Sequence, residues 1–395
     1  MKTFTCVVVG AGYAGIHAVK TIRKSLGDKI NDKSLRIILI DKQSYHLRKV
    51  LMFRPAAGDH DIKLPLSNVF PEGVQFLQGS VTSIETTTRS LSYTDESGAS
   101  QGLDYDILVM AVGSVIRSAD PSQGGISLTG LAAATSIRET WQTNLRLAAS
   151  EKSDEVRKRL MTVAIAGAGI SGIETSAELA HAMREEARNL RMNPDDVKVL
   201  LLNSQTRLFT EGPPRMGRKL EKVLAEGGVT VLHGRKAIRE KDGILSLDGG
   251  SNIPVGLCVW TLGLVPNPMI RHLGLPVTAE GQLVVDSSYR AAGAPGVYAI
   301  GDCARILDPT NGKADRMTCK EATGQAARLG KIVAADVNGS PAPAHSAYMD
   351  FFCVGLGPDK GMIWTRQWGL DIIIAGKLGW KIRQFTWNIA SLLKS

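Results

Sequence analysis

The sequence predicts an α/β fold: two Rossmann-like dinucleotide-binding domains plus a small C-terminal segment. Three observations predict it. A glycine motif behind a short apolar run occurs twice, as CVVVGAGYAGIHA and VAIAGAGISGIET. Each copy leads through a helix-like segment to a second apolar run, LRIILID ending at Asp41 and VKVLLLN ending at Asn203; this is the opening of a βαβ unit. The length, 395 residues, calls for two or three domains at roughly 150 residues each. With 44% hydrophobic and 22% charged residues, the composition is globular and excludes a disordered tail, a collagen and a coiled coil.

The first element is the strand ending at Gly10. Gly10 permits the tight strand-to-helix turn, Gly12 lets backbone approach a pyrophosphate, and Gly15 lets the helix pack closely. Tyr13 and Ala14 complete this turn, whose free N–H groups suit a phosphate. Aligning Gly10 with Gly167 also aligns Gly12 with Gly169 and Gly15 with Gly172. A single motif is weak evidence, because glycine-rich turns are common; two in the same strand–turn–helix context support each other. Next comes LDYDILVMAVGS, a strand leading to Ala111 and Gly113, with an ordinary core strand as the competing reading. GVYAIGDCAR is another buried strand, ending in Gly301 and Asp302. An acid there can accept hydrogen bonds from a ribitol or ribose hydroxyl; the competing reading is a helix N-cap.

The order GAGYAG, acid-ended strand, AVGS, GAGISG, WTLGLVPNP, VYAIGD resembles the glutathione-reductase-like flavoproteins with two dinucleotide-binding domains. Within them it is most similar to the type II NADH dehydrogenases, single-subunit NADH:quinone oxidoreductases. DKQSYHLRKVLMFRPAAG and TLGLVPNPMI, the latter with Gly263, carry the strongest local match. The resemblance implies FAD in a module of residues 1–135 and 275–338, NADH or NADPH in residues 136–274, and a C-terminal segment at 339–395. It implies hydride transfer to the flavin and then two-electron transfer to a quinone. Asp41 would then accept from the FAD adenosine ribose. Lys42 is a candidate to neutralise adenosine-side phosphate charge, with a solvated lysine as the competing reading. Glu174, which follows the second motif, would lie near the flavin–nicotinamide junction as a proton-relay candidate; the bland reading is a first-turn carboxylate that complements a helix dipole.

Three departures bear on the implied chemistry. Asn203 stands where an NADH-specific member has an acid, with Arg207 nearby, so the choice between NADH and NADPH stays open. Gln325 matches the first glutamine of the quinone-site helix and is a catalytic candidate, but Leu329 replaces the second. Lys49-Val50 stand where the family often has Gln-Pro near the flavin.

The five cysteines form no CxxC, no zinc spacing and no thiol in the gap between Cys6 and Cys258. A disulfide reductase, a sulfide:quinone reductase and a metal site are therefore not expected. No run approaches the roughly 20 apolar residues of a membrane helix, and no secretory signal opens the chain. The expected location is the cytoplasm, with peripheral attachment to the inner face of the cell membrane. Near the C-terminus, Leu378, Ile382, Phe385, Ile389, Leu392 and Leu393 share one helical face, flanked by Trp380 and Trp387 and by Lys377, Lys381, Arg383 and Lys394. A basic amphipathic helix with tryptophan reads as a membrane-surface anchor; the alternatives are a helix packed on the protein's own core and a homodimer interface. The chain after Gly376 is expected to be dispensable for flavin chemistry. The net charge of +9 suits an anionic cofactor, an anionic membrane or nucleic acid, but no nucleic-acid motif is present and that partner is not expected. The rival enzyme reading is a pathway-specific FAD/NAD(P)H oxidoreductase acting on a small metabolite.

Overall fold

The computed structural model describes residues 3–30 and 32–393. The first module builds β1 (Thr3–Val9), α1 (Tyr13–Leu26), β2 (Lys33–Asp41), the short α2 (Phe53–Ala57), β3 (Gln75–Glu85), β4 (Ser90–Asp95), β5 (Ser100–Asp104) and β6 (Ile107–Met110). The second contributes β7 (Ile126–Ser127), α3 (Leu131–Ser150), β8 (Thr162–Ala166), α4 (Ile170–Asn189), β9 (Lys198–Asn203), α5 (Pro214–Glu226), β10 (Val229–His233) and β11 (Leu257–Trp260). The chain then returns to the first module with β12 (Val297–Ala299) and α6 (Cys319–Val337). It ends in β13 (Phe351–Gly355), β14 (Gly361–Gln367), β15 (Leu370–Ala375) and α7 (Gly376–Ala390).

The first sheet runs β12-β6-β1-β2-β3 in parallel and continues antiparallel through β4 and β5. The second sheet, β7-β11-β8-β9-β10, is parallel throughout. Its edge strand Ile126–Ser127 lies ahead of residue 136, where the sequence reading begins this module; a two-residue strand carries no periodic signal. Helices cover both faces, so the central strands are continuous apolar runs, as in Val7, Val8, Ile38, Leu39, Val163 and Ile165. Two crossovers, Ser114–Ile116 and Leu264–Pro266, pair antiparallel and join the modules. These are the AVGS and LGLVP segments of the motif order.

Both glycine turns are built by close backbone approach. Gly10 has φ +105° and Gly167 φ +121°, conformations that a side chain resists. A Cβ on Gly15 or Gly172 would collide with the carbonyl oxygen of Gly10 or Gly167, respectively. By contrast, the space in front of Gly12 and Gly169 is open.

The C-terminal meander β13-β14-β15 shares a core with the second module. Phe352, Val354, Trp364, Trp380 and Trp387 pack with Leu51–Phe53, Ile173, Ala177 and Leu220. This corrects the expectation for the terminal helix. Trp380, Trp387 and Arg383 are buried and do not flank a lipid-facing stripe. Inward-facing aromatic and arginine side chains resemble interfacial ones in sequence, because both settings favour the same residues. Leu378, Phe385 and Ile389 remain exposed. The helix stops at Ala390, so Leu392 and Leu393 do not extend its face. Lys377 and Lys381 are exposed, and Lys394 lies outside the described residues. Among the described residues, no helix is long and apolar enough to cross a membrane.

Candidate functional site

The first glycine turn is tied down by the half-buried Asp41 and the buried His46. The backbone N–H of Ala11 donates to Asp41 Oδ2 at 2.6 Å and that of Gln43 to Asp41 Oδ1 at 2.9 Å. His46 Nδ1 donates to the Ala11 carbonyl at 2.8 Å, and burial lowers the imidazole pKa to about 4, keeping the ring neutral at physiological pH. Tyr13 sits edge-on to this ring at 4.8 Å between centroids. Lys42 projects into solvent. Across the sheet, the Ala111 carbonyl fills the space that a Cβ on Gly10 would need. Gly113 (φ +65°) and Gly263 (φ +85°) face open space. Ala14 packs against Gly301, where a Cβ would come within 2.8 Å.

Asp302 is held by a 2.5 Å hydrogen bond from Ser114 Oγ. Burial raises its pKa, while that hydrogen bond and the charge of Lys49 oppose the rise. Lys49 Nζ itself donates to the Ser114 carbonyl at 2.7 Å. The N-cap of α6 is Thr318, whose hydroxyl accepts from Glu321 N, so Asp302 does not cap that helix. These residues fit FAD: open backbone at Gly12 for a pyrophosphate, a carboxylate at the end of β2 for a ribose, and a second acid at the far end of the same sheet.

The second turn opens into a cleft of about 610 Å³. Gly169, Ile170, Asn203, Ser204 and Gln205 line one end; Thr318, Cys319, Cys353, Arg383, Phe385 and Ile389 line the other. Asn203 Oδ1 accepts from Gln205 N, and its amide nitrogen meets His233 Nδ1 at 2.9 Å. Arg207 is spent on three carbonyls, those of Phe209, Thr210 and Gly212. The end of β9 thus carries neither a repelling carboxylate nor an uncommitted arginine.

Glu174, just past the first turn of α4, is buried. Its Oε1 accepts from Gly355 N at 2.8 Å and from Arg383 Nε and Nη2 at 3.0 and 2.8 Å. Burial pushes its carboxyl above the usual range, and Arg383 pulls it back. Its geometry is thus an ion pair with the last helix rather than a bare dipole-facing carboxylate. Arg54 stacks over Trp380 and Trp387 at 5.6 and 5.2 Å, and Arg383 stacks over Trp387 at 5.0 Å. Arg48 reaches Asn388 and Ser391, and His17 donates to the Ala390 carbonyl at 3.0 Å.

Gln325 is buried, and both ends of its amide are engaged. Gly301 N donates to Oε1 at 2.7 Å, and Nε2 donates to Asp315 Oδ2 at 2.8 Å. It lies behind the cleft wall rather than in it. Leu329 is fully buried against the first core, so its side chain does not alter a pocket. Sequence reasoning missed the roles of Arg54, Ser114, Asp315 and Arg383, because each depends on a partner distant in the chain. The cysteines carry free thiols, and burial raises Cys6, Cys258 and Cys303 to about 12, which disfavours thiolates.

Arg383→Met leaves a buried carboxylate without its cation. A loss of about 3–5 kcal/mol at neutral pH is expected. Protonated Glu174 is cheaper to bury, so the folded variant holds its proton to higher pH than the unfolded chain. Stability should therefore rise as pH falls toward the carboxylate range. Glu174→Gln should recover part of the loss. Denaturant titrations between pH 5 and 8 check this; a pH-independent loss would contradict it.

The family model for pyridine nucleotide-disulphide oxidoreductases matches residues 4–326. The NADH dehydrogenase-like protein YutJ of Bacillus subtilis is 26% identical over 307 residues, covering 76% of each chain. The type II NADH:quinone oxidoreductase of Staphylococcus aureus is 23% identical over 353 residues, covering 84% of this chain and 82% of the relative. In fold, the chain is similar to NDH2 from Plasmodium falciparum in complex with NADH, with a TM-score of 0.82 and 16% identity over 99% of this chain and 98% of that one. With two glycine turns at the ends of parallel strands and a family match over most of its length, the chain belongs to the pyridine nucleotide-disulphide oxidoreductases.

Proposed function

We propose that the protein is an FAD-dependent NAD(P)H:quinone oxidoreductase. The observation that carries the reading is a cleft leading from the Gly169 turn, past the start of α6, to α7. The nicotinamide cofactor and the electron acceptor can both reach the flavin region through it. The names of the Bacillus and Staphylococcus relatives support the same reading.

FAD, when bound, supplies the hydride acceptor and the two-electron donor. The chain's residues do the rest. Gly12 and the free N–H groups after it would receive the FAD pyrophosphate, and Asp41 its adenosine ribose. The Gly169 turn would do the same for the nicotinamide dinucleotide, with Asn203 toward its ribose. Asp302 would hold a ribityl hydroxyl. The N-terminus of α6, capped by Thr318, would favour negative charge on the reduced flavin. Glu174 holds a carboxyl of raised proton affinity beside the cleft and is the group placed to move a proton toward a reduced acceptor; Gln325 supports the flavin-side turn. Asn203 neither repels nor clamps a 2′-phosphate, so NADH and NADPH are both accepted. By this reading residues 1–135 with 275–338 form the FAD module and 136–274 the nicotinamide module.

The purified protein should be yellow. Under anaerobic conditions NADH should bleach the flavin in one phase, and a short-chain quinone should restore the colour at one quinone per flavin. Bleaching without reoxidation by any quinone would leave the small-metabolite reading in its place. No bleaching by either nicotinamide would overturn both.

The exposed face of α7 gives the quinone reading its setting. Leu378, Phe385 and Ile389 point outward beside Lys377 and Lys381, on a cytoplasmic-side membrane surface in this proposal. Partial burial of such side chains in an interface, plus about 1 kcal/mol per nearby lysine, gives reversible attachment. Deleting the helix would also strip Arg383 from Glu174, so point variants are the sound test. Lys377→Glu/Leu378→Ser/Lys381→Glu, all outside the cleft lining, should abolish sedimentation with anionic vesicles and leave NADH bleaching intact. Unchanged sedimentation would sink the membrane assignment.

A further inference from the structure

Along the wall of the cleft, which Asp315 lines, runs a chain of polar groups whose far members, Asp315, His345, Tyr289 and Arg328, have no part in the proposed chemistry. It starts at the Gly301–Asp302 turn and passes through Gln325, Asp315 and His345 to Tyr289 and Arg328. Gln325, Tyr289 and His345 are buried, and Asp315 is nearly so. Gly301 N donates to Gln325 Oε1 at 2.7 Å, and Gln325 Nε2 donates to Asp315 Oδ2 at 2.8 Å. His345 Nε2 meets Asp315 Oδ1 at 3.2 Å. On the other edge of the ring, Nδ1 meets Tyr289 Oη at 2.8 Å and Arg328 Nη1 at 3.0 Å. Arg328 also donates to Tyr289 Oη at 2.8 Å.

The two ends of this chain fix its polarity. A guanidinium can only donate, so His345 Nδ1 accepts and Nε2 carries the proton. That proton must go to Asp315. A backbone N–H can also only donate, so Gln325 turns its oxygen to Gly301 and its nitrogen to Asp315. Two donor runs therefore converge on one side chain, and only a carboxylate accepts on both of its oxygens.

We propose that Asp315 is a positioning residue for the flavin: it fixes the Gln325 amide, and through it the Gly301–Asp302 turn. His345 and Arg328 fix Asp315 from behind. The proposal rests on the flavin reading given above. It assigns the matched glutamine of α6 a supporting role at the Gly301–Asp302 turn.

Asp315→Asn is nearly isosteric and breaks the pattern. Its amide offers one acceptor to two donors, so either His345 or Gln325 loses its partner. Flipping Gln325 only moves the clash to Gly301. The variant should release FAD from the holoprotein about tenfold faster on dilution, the scale of one unsatisfied buried polar group, and its flavin absorption bands should shift. Asp315→Asn/Gln325→Glu restores the pattern by exchanging carboxylate and amide between the two positions. The carboxylate, now on α6, accepts from Gly301 N and from the new amide nitrogen, and the new amide oxygen accepts from His345. The double variant should regain most of the wild-type FAD retention and spectrum. Wild-type retention in Asp315→Asn overturns the proposal, and so does a double variant no better than the single. If Asp315→Asn does not fold, the double variant must still fold and hold FAD, or the proposal fails. Wild-type protein that binds no FAD would instead sink the flavin reading itself.

Discussion

The contact on which the rest of the arrangement depends is the buried pair of Glu174 and Arg383. A carboxylate this deep is costly unless it is paired and hydrogen-bonded, and here three donors meet one oxygen. The donors come from β13 and α7, and the acceptor from α4. Arg54 of the first module stacks on the tryptophans beside them. One ion pair thus gathers the second module, the C-terminal sheet and the last helix at one end of the cleft. Without α7, Glu174 would be a buried charge with a single N–H partner.

The same constraint explains why α7 has two faces of unlike character. Its inner face carries Trp380, Arg383 and Trp387, packed into the second core. Its outer face carries Leu378, Phe385 and Ile389, which nothing in the chain covers among the described residues. Phe385 and Ile389 also line the cleft. A lipid-soluble acceptor held at the outer face would therefore be near the cleft. The proposed site and the proposed membrane surface share Phe385 and Ile389 of one helix.

The glycine turns, Asp41, Asn203 and Asp302 were legible in the sequence because each rule there is local. A positive φ, a missing Cβ or an acid at a strand end is readable within a few residues. Glu174 was legible as a candidate, since it follows the second motif. Its partner was not: Arg383 lies 209 positions away, and the sequence reading placed it among the lipid-facing cations. Helical periodicity finds an amphipathic helix but does not say which face meets the core when both hold aromatic or apolar groups. Asp315, His345 and Arg328 were invisible for the same reason. Their order is set by hydrogen-bond polarity across three separate segments, not by spacing.

The account stands on α7 being part of the folded protein before any membrane is present. Hydrogen–deuterium exchange of the FAD-loaded protein without lipid tests this most directly. The backbone amides of residues 380–390 should exchange slowly, on the scale of the core strands β8 and β13, because the helix is anchored by Arg383, Arg48 and His17. Exchange at the rate of an unstructured chain, slowed only when anionic vesicles are added, would mean that the helix forms on the bilayer, and the account would be wrong at its centre.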